Sequence, residues 1–285
     1  MKRERSRTRA GVSLALALLL LAGLSLLLYP TLSNYWNSRH QSRLIASYTE
    51  RIAALDDGAY AAMYAQAQAY NAALPQDASR FQPSEEDRAT YTGLLNASGT
   101  GIMGVVEIPS IGVQLPIYHG TDGEVLQIAI GHIQGSSLPV GGAGTHCVIS
   151  GHRGLPSAKL FTDLDQLALG DVFLLHVLDQ TLTYEVDQIR IVEPQDVSLL
   201  AIEAGEDLCT LLTCTPYGVN THRLLVRGHR VANGAEAVSA HVTADAVQID
   251  PKLVAPVLAA PILLILLLWA MCKPVRRRES YDIER

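Results

Sequence analysis

The chain has 285 residues, of which 48% are hydrophobic and 18% charged, enough for one folded domain plus membrane segments. Ten of the 22 Lys+Arg but four of the 28 Asp+Glu lie at its ends, so the middle carries 12 basic and 24 acidic residues, a net charge of −12. Such a surface repels nucleic-acid phosphates and favours a lysine-bearing protein partner, and four cysteines are too few for a disulfide scaffold.

In chain order, residues 1–10 form a basic tail with Lys2, Arg3, Arg5, Arg7 and Arg9. Residues 11–29 are a nearly unbroken Leu/Ala/Gly/Val run, about the ~20 residues a helix needs to cross a bilayer. The length, and the lack of a small-x-small site after Leu28-Tyr29-Pro30, favour an uncleaved anchor over a signal peptide. A second uncharged run, 253–272, is followed by a basic tail, 273–285, with Lys273 and Arg276 to Arg278. It reads as a second membrane helix, with Pro256 and Pro261 kinking it or lying in its first turn. Positive clusters stay on the cytoplasmic side. Both termini are therefore expected in the cytoplasm, with residues of about 35 to 250 outside the cell.

Residues 35–100 read as a helical appendage, with apolar residues at helical spacing over 40–74, broken at Asp56-Asp57-Gly58 and ended at Leu74-Pro75. A polar loop follows, and Ser84-Glu-Glu-Asp87 is a capping signal for a short helix. From 101 to 235 the texture becomes short Val/Ile/Leu/Tyr runs between Gly, Pro and Asp. The pattern predicts strands at 103–108, 113–117, 145–150, 171–178, 181–193, 207–213 and 223–231, and a short helix from Ala158 to Leu167. Residues 236–252 read as a linker. The fold class is mainly β with a helical N-terminal appendage. No Gly-rich phosphate loop and no Cys/His zinc spacing occurs, so neither cofactor nor metal is expected.

The chemistry concentrates in two segments. In Thr210-Leu-Leu-Thr213-Cys214 an apolar run ends in a thiol, and Arg223 opens the next apolar run. A neighbouring cation or histidine stabilises a thiolate, so Cys214 is a candidate nucleophile. In Cys147-Val-Ile-Ser-Gly-His152-Arg-Gly154 a second strand-like run delivers a histidine. Cys147 and Cys209 each lie five residues ahead of His152 and Cys214. They read as buried small hydrophobes or as a disulfide between neighbouring strands. Arg227 is the rival for the role of Arg223. His119, His132 and His222 are weaker candidates, and His146 and His229 read as structural.

These motifs resemble the sortases, cysteine transpeptidases of the Gram-positive cell surface. Gly104-Val-Val-Glu-Ile-Pro109, Leu115-Pro-Ile-Tyr-His-Gly120, Ser137-Leu-Pro-Val-Gly-Gly142, Leu155-Pro-Ser-Ala-Lys-Leu-Phe-Thr-Asp163 and Thr215-Pro-Tyr-Gly218 resemble the class C, pilin-polymerising branch. The resemblance implies a β-barrel of about eight strands. It implies His152, Cys214 and Arg223 as catalytic residues, with Thr213 and His132 near substrate. The substrates it implies are pilins or surface proteins with LPxTG-like sorting signals, and the acceptor is a pilin lysine or a cell-wall amine. A wall-anchoring sortase and a purely hydrolytic membrane thiol peptidase are the alternatives. A pilus-scaffold protein would need Cys214 to be dispensable. Class C members carry a lid, often with an Asp-Pro-aromatic motif. Here Asp77-Ala-Ser-Arg-Phe81-Gln-Pro83 stands in its place, so Phe81 either covers Cys214 or is a surface aromatic without a partner.

Overall fold

A computed structural model describes the backbone of residues 2–234 and the side chains of 15–234. The second apolar run at 253–272, its linker and the C-terminal tail lie outside the described residues. The chain divides into an N-terminal unit ending at Leu32 and a larger unit beginning at Ser33. Helix α1 (Lys2–Ala53) enters both. It contains the one stretch among the described residues that is long and apolar enough to cross a membrane. The chain between the first apolar run and residue 40 continues as helix, with Pro30 inside it.

Within the larger unit, α1 ends at Ala53 and Asp56 caps α2 (Asp57–Ala73), its carboxylate accepting from Ala59 N. A 3-10 turn at Ala78–Phe81 precedes α3 (Glu85–Gly93). Ser84 and Asp87 form the expected capping box on α3. The strands are β1 (Ile102–Ile108), β2 (Val113–His119), β3 (Ile130–His132), β4 (Thr145–Ser150), β5 (Val172–Val177), β6 (Gln180–Val192), β7 (Asp207–Thr215) and β8 (His222–Val231). They close into a barrel in the order β1-β2-β3-β4-β7-β8-β6-β5. Two of the ladders are parallel, β2 with β3 and β4 with β7.

The sequence pattern misses β3, which has three residues and no alternation to read. The helix expected from Ala158 to Leu167 is absent apart from a 3-10 turn at Leu164–Gln166. Leu160 takes a positive φ of 39°, which breaks a helix, and Ala158, Leu160, Phe161 and Leu164 instead plug the barrel core. Alternation along β4, β7 and β8 sends Cys147, Ile149, Cys209, Leu211, Leu224 and Val226 into that core.

Polar side chains fasten the helical appendage to the barrel. Tyr48 OH donates to Met103 O (3.1 Å) and accepts from Leu178 N (3.0 Å). Buried Asn71 donates to Leu138 O (3.1 Å) and accepts from Leu138 N (2.7 Å). Tyr91 OH lies 2.9 Å from His132 Nδ1 and accepts from Gly120 N (3.0 Å). Apart from the Tyr91–His132 Nδ1 bond, each contact satisfies a backbone group that burial would otherwise strand, at a cost of about 1–3 kcal/mol.

Cys147 and Cys209 are direct register partners on β4 and β7, as the equal spacing ahead of His152 and Cys214 predicts. Both are buried free thiols, not a disulfide. Burial pushes the Cys209 thiol well above its ordinary range, with its hydrogen bond to Cys147 adding to the rise. Native-state alkylation is therefore expected to modify half-buried Cys214 and to spare Cys147 and Cys209 until the chain is unfolded. Peptide mapping after a native pulse and a denatured chase reads this out. Failure of the pair to alkylate in non-reducing denaturant would show a disulfide instead.

Candidate active site

The first half of the site comes from the β7–β8 hairpin. Cys214 stands directly opposite Arg223 in the antiparallel ladder, so thiol and guanidinium leave neighbouring strands side by side. Cys214 shares its face with Leu212, and Arg223 shares it with Leu225; this is the outer face of the sheet. Arg223 Nη1 donates to Asn220 O (3.2 Å) and His222 O (3.1 Å), carbonyls of its own hairpin loop. Those bonds hold the guanidinium at the mouth of the hairpin.

The histidine arrives on the neighbouring strand. The parallel β4–β7 ladder pairs Ser150 with Leu212, and beyond it Gly151 N donates to Leu212 O (3.0 Å). Buried Thr213 then donates its hydroxyl to Gly151 O (2.8 Å). His152 follows at once, half-buried, and its carbonyl accepts from Phe161 N (3.1 Å). Two consecutive groups of Gly151 are thus bound to the two residues before Cys214. Gly151 itself has no room for a side chain, since a Cβ there would come within 2.7 Å of Ile130 and Phe161.

The remaining candidates separate clearly. Thr213 is fully buried and acts on the Gly151 carbonyl, not on an exposed cleft. His132 is also fully buried, bonded to Tyr91, Ser136 Oγ (3.0 Å) and Ser137 O (2.9 Å) inside the domain. The structure therefore keeps both away from the exposed face of Cys214. His119 is held by Gly101 O and Leu94 O, and His222 by Thr221. His146 is bonded to Ala201 O and Thr210, and burial lowers its proton affinity. Arg227 is committed to Asp187 (2.9 Å) and Glu203 (2.9 Å), and the bond to Asp187 raises its proton affinity. It is not the free cation beside Cys214.

One residue escaped the sequence reading. Arg153 pairs with Asp165, donates to Thr215 Oγ1 (3.5 Å) and lies over the Tyr217 ring at 5.9 Å. It ties the turn after His152 to the loop after Cys214. Its position beside His152 in Ser-Gly-His-Arg-Gly was the available signal, but its partners lie far off in sequence.

Phe81 is not an unpartnered surface aromatic. It packs against Val148, Leu200 and Leu225, with Leu212 and Val192 alongside. These lie on the face that carries Cys214 and Arg223. Arg80 covers the other side of the ring at 4.7 Å and donates to Leu200 O (2.5 Å). Gly135 permits this approach: its φ is +91°, and a Cβ there would lie 2.0 Å from Arg80 O.

A model of the sortase domain matches residues 106–231. Sortase D of Bacillus subtilis (strain 168) is 30% identical over 160 residues, 55% of this chain and 77% of that protein. The crystal structure of sortase C1 from Streptococcus agalactiae superposes with a TM-score of 0.63 and 48% identity, covering 67% of this chain and 100% of that one. A sortase C structure from Streptococcus pneumoniae, described for its catalysis and pilin substrate specificity, gives 0.59 and 43%, over 67% and 97% of the two chains.

Proposed function

The chain belongs to the sortase family, with class C pilin sortases as its structural relatives, and on that premise we propose that it is a membrane-anchored cysteine transpeptidase that polymerises pilins. Its donor substrate is a protein with an LPxTG-like sorting signal, and its acceptor is a pilin lysine. The observation that carries this reading is the Cys214–Arg223 register pair, with the turn bearing His152 bonded to the residues just ahead of Cys214.

On this reading the Cys214 thiolate attacks the backbone carbonyl carbon of the signal's threonine. A C–S bond forms and the carbonyl electrons move onto oxygen. The Arg223 guanidinium offers directed donors to that oxyanion or to the substrate backbone. Collapse breaks the C–N bond, and His152 delivers a proton to the departing amine. A thioester to Cys214 remains. The lysine amine then attacks it, His152 takes the amine proton, and the C–S bond breaks to release the thiolate with a new isopeptide bond. His152 thus acts as acid and then as base, as general acid/base catalysis in two half-reactions requires.

Phe81 and Arg80 form a lid over the face where the sorting signal binds. Closure rests on the Arg80 bond to Leu200 O and on the guanidinium stacked against the Phe81 ring. Phe81→Ala, or deletion of residues 76–83, is expected to raise the alkylation rate of Cys214 several-fold. Equal rates in the variants and the parent chain would remove the lid from the account.

The proposal is tested by supplying the full chain with a purified pilin that bears a sorting signal. Covalent ladders linked through lysine are the expected product. Cleavage that yields only hydrolysed pilin, with a lysine-bearing acceptor present, would replace the transpeptidase with a thiol peptidase.

A further inference from the structure

Residues 33–53 of α1 lie along the barrel in one direction. At the start, Ser33 Oγ donates to Ser157 O (3.2 Å) and Asn34 Oδ1 accepts from Lys159 N (2.8 Å). Midway, Gln41 donates to Ile128 O (2.7 Å), just ahead of β3. Farther on, Tyr48 reaches Met103 at the start of β1 and Leu178 just after β5. Those two points share one end of the barrel, because β1 and β5 are antiparallel. Following the ladders round puts the ends of β4 and β7 and the start of β8 at the opposite end. Ser33 and Asn34 therefore meet the barrel at the end that carries His152, Cys214 and Arg223. From there the helix climbs about 22 Å away, at 1.5 Å per residue over the fifteen residues to Tyr48.

Ser33 lies four residues beyond Tyr29, where the apolar run ends. That is about 6 Å of helix. Whatever direction the apolar segment takes, chain connectivity holds the site-bearing end close to its outer edge.

A second observation is independent of the helix. Among the described residues beyond α1, the exposed large hydrophobic side chains are Ile128, Leu169, Ile191, Tyr217 and Val219. Ile128 precedes β3, Leu169 precedes β5, Ile191 pairs with Leu224 beside Arg223, and Tyr217 and Val219 form the loop after Cys214. Ile128 sits midway, at the Gln41 contact, and the other four lie at the site-bearing end. Tyr217 is 61% and Val219 65% exposed, and Trp36, at the start of the docked helix, is 76% exposed. Tyrosine and tryptophan concentrate where a protein meets the bilayer headgroups, since each has an apolar ring and a polar handle.

We infer that the barrel end carrying His152, Cys214 and Arg223 rests on the outer leaflet of the bilayer, with Tyr217, Val219 and Trp36 entering the headgroup layer. This rests on the reading of residues 11–29 as a membrane anchor. A sorting signal sits just ahead of its own apolar segment, so its scissile bond emerges at that surface. A site facing the leaflet meets it without drawing the substrate's helix out of the membrane.

The test uses the full chain in phosphatidylcholine–phosphatidylglycerol vesicles, in a Cys214→Ala, Cys272→Ala background. One environment-sensitive fluorophore is placed through Val219→Cys, or through Asp179→Cys at the opposite end. Nitroxide lipids labelled near the headgroup are expected to quench the Val219 probe at least about two-fold more than the Asp179 probe. Equal quenching, or none at Val219, in chains that float with the vesicles would overturn the inference and leave the anchor standing. Chains that do not float would overturn the anchor reading and the inference with it. A Val219 probe untouched by lipid but shielded by a sorting-signal peptide would assign this end to substrate and also overturn it.

Discussion

Cys214→Ala is expected to abolish pilin ladders and peptide cleavage alike, while shifting the thermal midpoint little. On the proposed mechanism the Cys214 thiol carries the covalent intermediate, and Cys147 and Cys209 are buried and do not replace it. It is half-buried, and replacing sulfur and hydrogen by a methyl hydrogen at such a place costs no more than about 1 kcal/mol. The two measurements must be made on the same preparation. Ladders from a folded Cys214→Ala chain would remove Cys214 as nucleophile, and lost ladders from an unfolded one would be silent on chemistry.

Arg223→Lys is expected to lower kcat/KM by about two orders of magnitude, the size of effect seen when one directed oxyanion donor is lost. Charge survives this change, but the planar fork that bonds its hairpin loop does not. Arg227→Lys, four residues along the same strand and face, is the matched control. That side chain is held by Asp187 and Glu203, so its replacement should act on stability and leave turnover within about three-fold. Loss of turnover in Arg227→Lys with near-normal rates in Arg223→Lys would exchange the two roles.

Much of the barrel was legible because its long strands alternate or run apolar between Gly, Pro and Asp. Seven of the eight strands answer to that pattern. The eighth, Ile130-Gly-His132, gains strand character only from its parallel pairing with β2 and its antiparallel pairing with β4. The segment from Ala158 to Leu167 has helical spacing, yet its apolar residues are spent on plugging the core from an irregular loop. Here tertiary burial overrides local pattern.

Of the proposed site, the thiol, the arginine and the histidine stand out in the sequence because each ends or opens an apolar run. The equal offsets of Cys147 and Cys209 even carried the β4–β7 register. What the sequence does not carry is commitment. Nothing in it shows that Arg227 is already paired, that Thr213 turns inward to Gly151, or that Arg153 reaches Asp165 and Tyr217. Nor does an altered lid motif reveal that Arg80 supplies the ring's second contact.

The most direct test of the central claim is the mass of the enzyme caught in mid-reaction. The full chain is incubated with a peptide carrying an LPxTG-like signal, quenched in acid and mapped by mass spectrometry. The account predicts an adduct of the signal's N-terminal fragment through threonine, less one water, on the peptide that contains Cys214. Adding a lysine-like amine should discharge it as the amide of that fragment. Cleavage with no adduct, or an adduct carried by another residue, would contradict a thioacyl intermediate on Cys214.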